Sequence, residues 1–471
     1  MKPHTRNILS LFGFDAIARL LGFASTTYLA RMLGNGSFGV INLGLAVFSY
    51  GLIISSPGVH TIGTRIVSQR SVNDAAVIKK ITALRFVLAI LTFAAMTIAS
   101  FILVHDTTLR YVVLLYSLSL LPFAFQIEWF YQGKQRVAAL GASRAAGLLS
   151  FVVLLFFIVK SESDVLLVPV AYFVSAALNA AMLYFIYRRG KSEPSIVDDI
   201  PPVNLPWKSL LRQSLPVGAA VIIGQAVLNL PVILLGVFAT AFDIGNFSAA
   251  SKLIFFLLSI DRAVYILFYP LVARSIATTP AEVGNQVSRI LNYILIAILP
   301  ICAGGLVLAR PVIMLVFGSQ YEDSVILLQI LVFYFLFTIL NSIFAFVIIA
   351  AGKEKQYSAI IVSVSSLLLV LLVPLTYYWK AAGASFGMVA GEFVMMMLMF
   401  HQCRKAISTK LVFNPTKPFI CSAIMGGILL SLSHPGLYLS VPIGIAAYSA
   451  CMFLLKGIGK DDIVFLKERL L

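Results

Sequence analysis

Apolar stretches of about 20 residues recur along the whole chain, and a stretch of that length is what an α-helix needs to cross a bilayer. One of them, residues 246–270, reads NFSAASKLIFFLLSIDRAVYILFYP and carries Lys252, Asp261 and Arg262 inside it. An ionised side chain near the bilayer centre costs roughly 2.5 to 3.5 kcal/mol on insertion scales, so three in one span should face other helices or a water-filled cavity. At about 100° per residue, Ser248, Lys252, Phe255, Ser259 and Arg262 share one stripe, with Asp261 pointing away from it. The expectation is that Lys252 and Arg262 form a cationic substrate face and that Asp261 meets another helix. Structural ion pairs, or snorkelling to a headgroup, are the alternative for the same residues.

Hydrophobic residues make up 60% of the 471-residue chain and charged residues 11%, far from the quarter charged that is usual in soluble domains. The fold class expected is an all-α polytopic membrane protein with about fourteen spans, at 8–30, 37–58, 81–104, 109–130, 138–159, 165–187, 211–238, 244–270, 288–309, 325–350, 357–379, 382–402, 416–433 and 438–456. The opening MKPHTRN resembles a signal peptide, but Asp15 and Arg19 interrupt the apolar core it would need, so an uncleaved first helix is expected. With an even number of spans both termini share one side, and the loops on that side hold 25 of the 35 Lys and Arg residues against five on the other. That bias places the termini in the cytoplasm and accounts for the +16 net charge without nucleic acid.

The segment 188–208 (RRGKSEPSIVDDIPPVNLPWK) is charged and proline-rich, as a linker between two bundles would be. The chain therefore divides into an N-terminal six-helix bundle at 1–190, a cytoplasmic linker at 191–208, a second six-helix bundle at 209–405, and two additional helices with a tail at 406–471. A weak internal repeat agrees with this. SFGVIN from Ser37 resembles DIGNFS from Asp243, and QGKQR from Gln132 resembles AGKEK from Ala351. The matches fall at corresponding loops of two six-span units, which should be related by an axis along the membrane normal. Segment 59–80 and the tail from Lys460 are amphipathic enough to lie along the membrane surface.

Few residues could carry chemistry. Asp15 and Arg19 share a face of the first span, in the favourable order for a helical ion pair, and Arg19 could instead swing to an anionic ligand while Asp15 resets it. Ser214, Gly218, Gln225 and Asn229 form a polar stripe bracketed by Pro216 and Pro231, suited to a helix that lines a cavity and bends, or to hydrogen bonding between helices. Glu128 and Arg144 stand where they could pair. Trp129, Phe130 and Tyr131 fit an interfacial belt better than a sugar-stacking platform. Glu392 has no charged neighbour in its own span and joins Asp15, Asp261 and Glu128 as a candidate ion-coupling carboxyl.

The four cysteines show no metal or disulfide spacing, and the five histidines lie in loops or at span ends. Gly190, Lys191 and Ser192 resemble the end of a phosphate-binding loop, but Phe185 stands where that motif needs Gly. No cofactor, metal or enzymatic machinery is indicated.

The stretch GFDAIARLLGFASTTYLARMLGNGSFGVINLGLAVFSY from Gly13, EWFYQGKQRVAAL from Glu128, LLRQSLPVGAA from Leu210 and AAGKEKQYSAI from Ala350 together resemble the polysaccharide exporters typified by the O-antigen flippase Wzx. The superfamily also holds multidrug exporters and the lipid II flippase. The resemblance implies two six-helix bundles forming a V around a lumen, and alternating access in the bacterial cytoplasmic (inner) membrane. It also implies translocation of an undecaprenyl-diphosphate-linked oligosaccharide, with a polysaccharide polymerase and a chain-length regulator as partners. Fourteen spans are shared with the lipid II flippase, whose extra pair forms a lipid-tail groove. Independently of family, an anionic diphosphate needs cationic donors in a low-dielectric cavity. Arg19, Lys252, Arg262 and Arg144 are the donors available, with Gln225 and Asn229 as polar lining. A lipid II-type flippase and a drug-cation antiporter are the alternatives, and the antiporter should show the opposite sign.

Overall fold

A computed structural model describes residues 3–69, 73–190, 206–407, 411–432 and 436–457. The described residues are almost entirely helical, as hydrocarbon requires, because only a helix satisfies its own backbone N–H and C=O groups within one segment. The expected linker lies outside the described residues except for its last three positions, and the amphipathic tail lies outside them altogether.

Chain contacts divide the protein into two compact units, Met1–Gly245 and Asn246–Leu471. The first contains α1 (Pro3–Ser55), α2 (Val59–Gln69), α3 (Asp74–Leu103), α4 (Thr107–Leu118), α5 (Leu120–Phe125), α6 (Glu128–Gly133), α7 (Val137–Ile158), α8 (Leu167–Gly190) and α9 (Trp207–Phe238). α10 (Ala241–Leu257) starts at the boundary. It leads into α11 (Ser259–Thr278), α12 (Val283–Val307), α13 (Ala309–Val316), α14 (Ser324–Ala350), α15 (Glu354–Ala406), α16 (Thr416–Ser431) and α17 (Leu437–Leu454) of the second. Ten helical segments among the described residues are long and apolar enough to cross a membrane, which makes this a multi-pass membrane protein. The expected count is fourteen, and each expected span overlaps a helix. Two of the ten segments are each two helices joined across a kink, at Gly34 (φ 73°) in α1 and at Lys380 (φ 46°) in α15. α16 is shorter than a full crossing, with 16 residues.

Two further expectations change. The fourth span is three short helices rather than one. Pro122 has no N–H to bond the Leu118 carbonyl, and α4 ends at Leu118. A second break at Gln126 and Ile127 separates α5 from α6. The stretch 246–270 is also not one helix. The Asp261 N–H bonds the Leu258 carbonyl at 3.0 Å, a tight i→i+3 turn that divides α10 from α11.

The core at one end of the first unit gathers Val59, Ile62 and Val67 of α2 with Ile78, Ile81 and Leu84 of α3, Leu183 of α8 and Leu210 of α9. The apolar face of α2 is thus taken up by protein. Trp129, Phe130 and Tyr131 lie in the same core, with Trp129 over Gly63 and the Tyr131 hydroxyl donating to the Leu183 carbonyl at 2.9 Å. This corrects the interfacial-belt reading, since the three rings fill the space where α2, α6 and α8 meet. In the second unit α14 packs along α15 and also touches α11, α12 and α13, while the Tyr448 hydroxyl of α17 bonds the Ile296 carbonyl of α12 at 2.7 Å.

The first repeated loop pair, SFGVIN and DIGNFS, comes together in space. A Cβ on Gly39 would stand 1.9 Å from the Ala241 carbonyl oxygen, and one on Gly245 would stand 1.9 Å from Asn35 Oδ1. Backbone cannot yield as a flexible side chain can. Gly39→Ala should therefore cost about 1 to 3 kcal/mol, whereas Gly22→Ala, with nothing within 4 Å of its Cβ position, should leave stability unchanged or slightly raised. Thermal unfolding of the two purified variants checks this, and equal midpoints would show that the close approach at Gly39 is not required.

Candidate functional site

In the second unit, Lys252 sits half-buried on α10, and among the described residues it has no hydrogen-bond or ion-pair partner. The Ser248 hydroxyl, one helical turn earlier, is buried and also unpartnered. Arg262 lies beyond the break at Leu258, so the uninterrupted stripe expected to join it to Lys252 does not form. It is exposed and engaged by neighbours.

The carboxyls of this unit are organised by α14. Glu392 Oε1 on α15 accepts from Asn341 Nδ2 at 2.8 Å, and the Thr338 hydroxyl lies within reach of the same carboxyl while donating to its own Tyr334 carbonyl. Asp261 on α11 bonds the Ser342 hydroxyl. Thr338, Asn341 and Ser342 stand at i, i+3 and i+4 and so present one polar face to both carboxyls. The two acids are close enough to feel one another's charge. Asp261 Oδ1 and Asn341 Oδ1 are buried and unpartnered, so oxygen atoms of two residues in this cluster keep spare acceptor capacity. Among the described residues no group of three or more His, Cys, Asp or Glu side chains forms a metal-binding cluster. The oxygen donors present suit a proton or a hard monovalent cation, not a soft metal.

In the first unit the expected pair of Glu128 and Arg144 is present and bidentate, with Arg144 Nη2 at 2.6 Å and Nε at 3.2 Å from Glu128 Oε2. The Arg144 side chain is 59% exposed and that of Glu128 16%. Arg19 is exposed and engaged by neighbours. α9 runs unbroken through Pro216 and Pro231, with Asn229 half-buried on it. The side chains of Asp15 and Gln225 lie outside the described residues.

The sequence expectation had left out Thr338, Asn341 and Ser342. Their signal was available: three polar residues on one helical face in the otherwise apolar run SVILLQILVFYFLFTILNSIFAFVIIA.

Comparison with known proteins agrees in kind. A profile of the family described as "Polysaccharide biosynthesis protein" matches residues 4–265. A protein of Escherichia coli (strain K12) named "Putative O-antigen transporter" is 25% identical over 427 residues, covering 85% of this chain and 97% of its own. Among solved structures, the lipid II flippase MurJ in an inward closed conformation superposes with a TM-score of 0.71 over 95% of this chain and 98% of that one, at 12% identity. An inward-facing multidrug resistance transporter of the MATE family reaches 0.62 over 83% and 98%, at 16% identity. The fold is therefore that of this transporter group.

Removing a donor from a buried carboxyl costs about 1 to 3 kcal/mol. Asn341→Leu should accordingly lower the thermal midpoint of the purified protein, while Glu392→Gln, which keeps an acceptor oxygen for Asn341, should lose less than half as much. Equal losses would mean that packing, not the hydrogen bond to Glu392, is what Asn341 supplies.

Proposed function

Because the chain belongs to the polysaccharide biosynthesis protein family, we propose that it is a flippase that moves an undecaprenyl-diphosphate-linked oligosaccharide, such as an O-antigen repeat unit, across the bacterial cytoplasmic membrane. The observation that carries this reading is Lys252, a cation in an apolar helix with no protein partner among the described residues. A charge left unpaired in such a setting is costly unless a ligand or water meets it. The cargo it fits is anionic, and a diphosphate presents charge and hydrogen-bond acceptors together. A drug-cation antiporter would be repelled by the same group.

In this reading the protein has fourteen spans, as two six-helix bundles at 1–190 and 209–405 with two further helices in 406–471, and both termini face the cytoplasm. The sugar diphosphate enters from the cytoplasm and engages Lys252 and Arg262, with Arg19, Arg144, Gln225 and Asn229 contributing. It leaves when the two bundles exchange access, while the polyprenyl tail stays in lipid. A polymerase and a chain-length regulator receive the product. The protein transports and does not catalyse a bond change. Asp261 and Glu392, with the unpartnered oxygens of Asp261 and Asn341, take the proton or monovalent cation whose gradient drives return. Asp15 and Glu128 remain candidates for the same task.

The double variant Lys252→Gln with Arg262→Gln should reduce surface polysaccharide at least tenfold in a strain lacking the native gene, at unchanged levels of folded protein. Normal polymer from that variant removes the substrate role. For coupling, flipping by reconstituted wild-type protein should fall when the proton or sodium gradient is collapsed, and Glu392→Gln should lose that response. A variant that responds as wild type does excludes Glu392 as the coupling group.

A further inference from the structure

Arg85 lies eleven residues into α3, about 16 Å along it at 1.5 Å per residue, and is only 6% exposed. Its Nη1 donates to the Gln126 carbonyl at 2.6 Å and its Nη2 to the Phe123 carbonyl at 2.7 Å. The Gln126 carbonyl is available because the chain leaves the helix between α5 and α6; the Phe130 N–H, which would take it in a continuous helix, bonds Ile127 instead, while the Phe123 carbonyl also accepts from the Gln126 N–H at 3.2 Å. Two neutral carbonyls orient a guanidinium but do not balance its charge, and buried charges are ordinarily paired. The nearest anion, Glu128, is held bidentately by Arg144. Arg85 is therefore left with surplus positive charge, and its Nε has no hydrogen-bond partner.

A cavity of about 240 Å³ opens beside Arg85, walled by Leu52, Ser56, His60, Phe123, Gln126 and Glu128 among others. The Ser56 hydroxyl is also buried and unpartnered. The space would hold about eight waters at 30 Å³ each and is smaller than the roughly 300 Å³ at which pockets for drug-sized ligands begin. It suits a compact polar group and excludes a sugar chain. Two unpartnered donors, a surplus cation and an imidazole around a small cavity are the elements of an oxyanion site.

We propose that this cavity, between the end of α1, the start of α2, α3 and the α5–α6 break, is a phosphoryl-anion subsite in which Arg85 and Ser56 donate to the bound oxygens and His60 gains a proton as the anion enters.

Burial holds His60 below the ordinary imidazole range. The Arg85 charge on α3 lowers it further, Glu128 on α6 raises it, and Arg144 on α7 lowers it; α9, which also packs on α2, adds no charged neighbour among the described residues. The empty site thus disfavours a proton on His60. An entering anion reverses the local sign and raises its affinity for a proton. Anion affinity then increases as pH falls through the His60 value of the occupied site, and levels off below that of the empty one. The charge bias of the loops puts this end of the first unit on the cytoplasmic side. There a phosphoryl group could be the headgroup of a polyprenyl diphosphate before it reaches Lys252, or a soluble phosphate ester. The first source rests on the flippase reading, whereas the subsite itself does not.

The test uses the full chain in nanodiscs of zwitterionic lipid, in the Lys252→Gln, Arg262→Gln background so that the two principal cargo cations do not contribute. Inorganic diphosphate is titrated by calorimetry at pH 6 and pH 8. Saturable binding is expected, weakened at least tenfold by Arg85→Gln and several-fold by Ser56→Ala. His60→Asn should flatten the pH dependence relative to its parent, the probe's own protonation being common to both. Added polyprenyl diphosphate that competes identifies a lipid headgroup as the source, and absence of competition identifies a soluble one; either keeps the subsite. Absence of heat in the parent protein, as for a cavity that holds only water, overturns it. So does an undiminished affinity in folded Arg85→Gln. Should that variant not fold, unchanged affinity and pH slope in both Ser56→Ala and His60→Asn overturn it instead. Flipping of lipid-linked glycan by the wild type is scored separately, so loss of the subsite and loss of the flippase reading give different results.

Discussion

Removing an ion from water is the costliest event in building a protein of this composition, and its helical interruptions and polar faces can be traced to it. Each ionised group inside the apolar helices needs an answer, and four occur here. Glu128 takes a guanidinium, Arg144, with 2.6 Å bidentate geometry. Arg85 takes two main-chain carbonyls beside a break in the neighbouring span. Asp261 and Glu392 take hydroxyl and amide donors from one face of α14. Lys252 takes none among the described residues. The first three are complete or partial solutions within the protein. The fourth has no partner within the described residues.

The breaks in helical structure are part of the same economy. Pro122 stops α4, the chain leaves the helix again at Gln126, and the freed Gln126 carbonyl becomes a ligand for the Arg85 cation. In a membrane such irregular backbone persists only where protein or a wet cavity satisfies it, and Arg85 with its adjoining cavity supplies both. The turn at Leu258 has a comparable effect on the opposite unit. By tightening to an i→i+3 bond it sets Asp261 and Arg262 on a new helix, so that Asp261 reaches Ser342 of α14 while Lys252 remains on α10.

Much of this architecture was legible in the sequence because an apolar run of 20 residues is a local signal. Every expected span overlaps a helix, and the ordering of Glu128 and Arg144 was enough to anticipate their pair. What was hidden is what depends on contacts distant in sequence. Glu392 could be read as isolated, but not that Asn341, 51 residues earlier, would donate to it. The rings of Trp129, Phe130 and Tyr131 have the composition of an interfacial belt, and only the packing of α2 across them makes them core. Arg85 was visible as a charge within a span, yet its partners arise from a helix break in a different segment. The i→i+3 turn at Leu258 has no proline or glycine to announce it.

Pairing also alters how the cationic residues should be weighed as a group. Five positive side chains inside apolar spans suggest a broad attractive surface for an anion, but a guanidinium already satisfied by a carboxylate presents little net charge to a passing ligand, and displacing that carboxylate would cost much of what the new contact gives. Arg144, 59% exposed, gains at most about 1 kcal/mol from its pair after solvent screening, so it can change partners at small expense. Glu128, 16% exposed, cannot be abandoned as cheaply. Lys252, with no acid to leave behind, carries no such obligation.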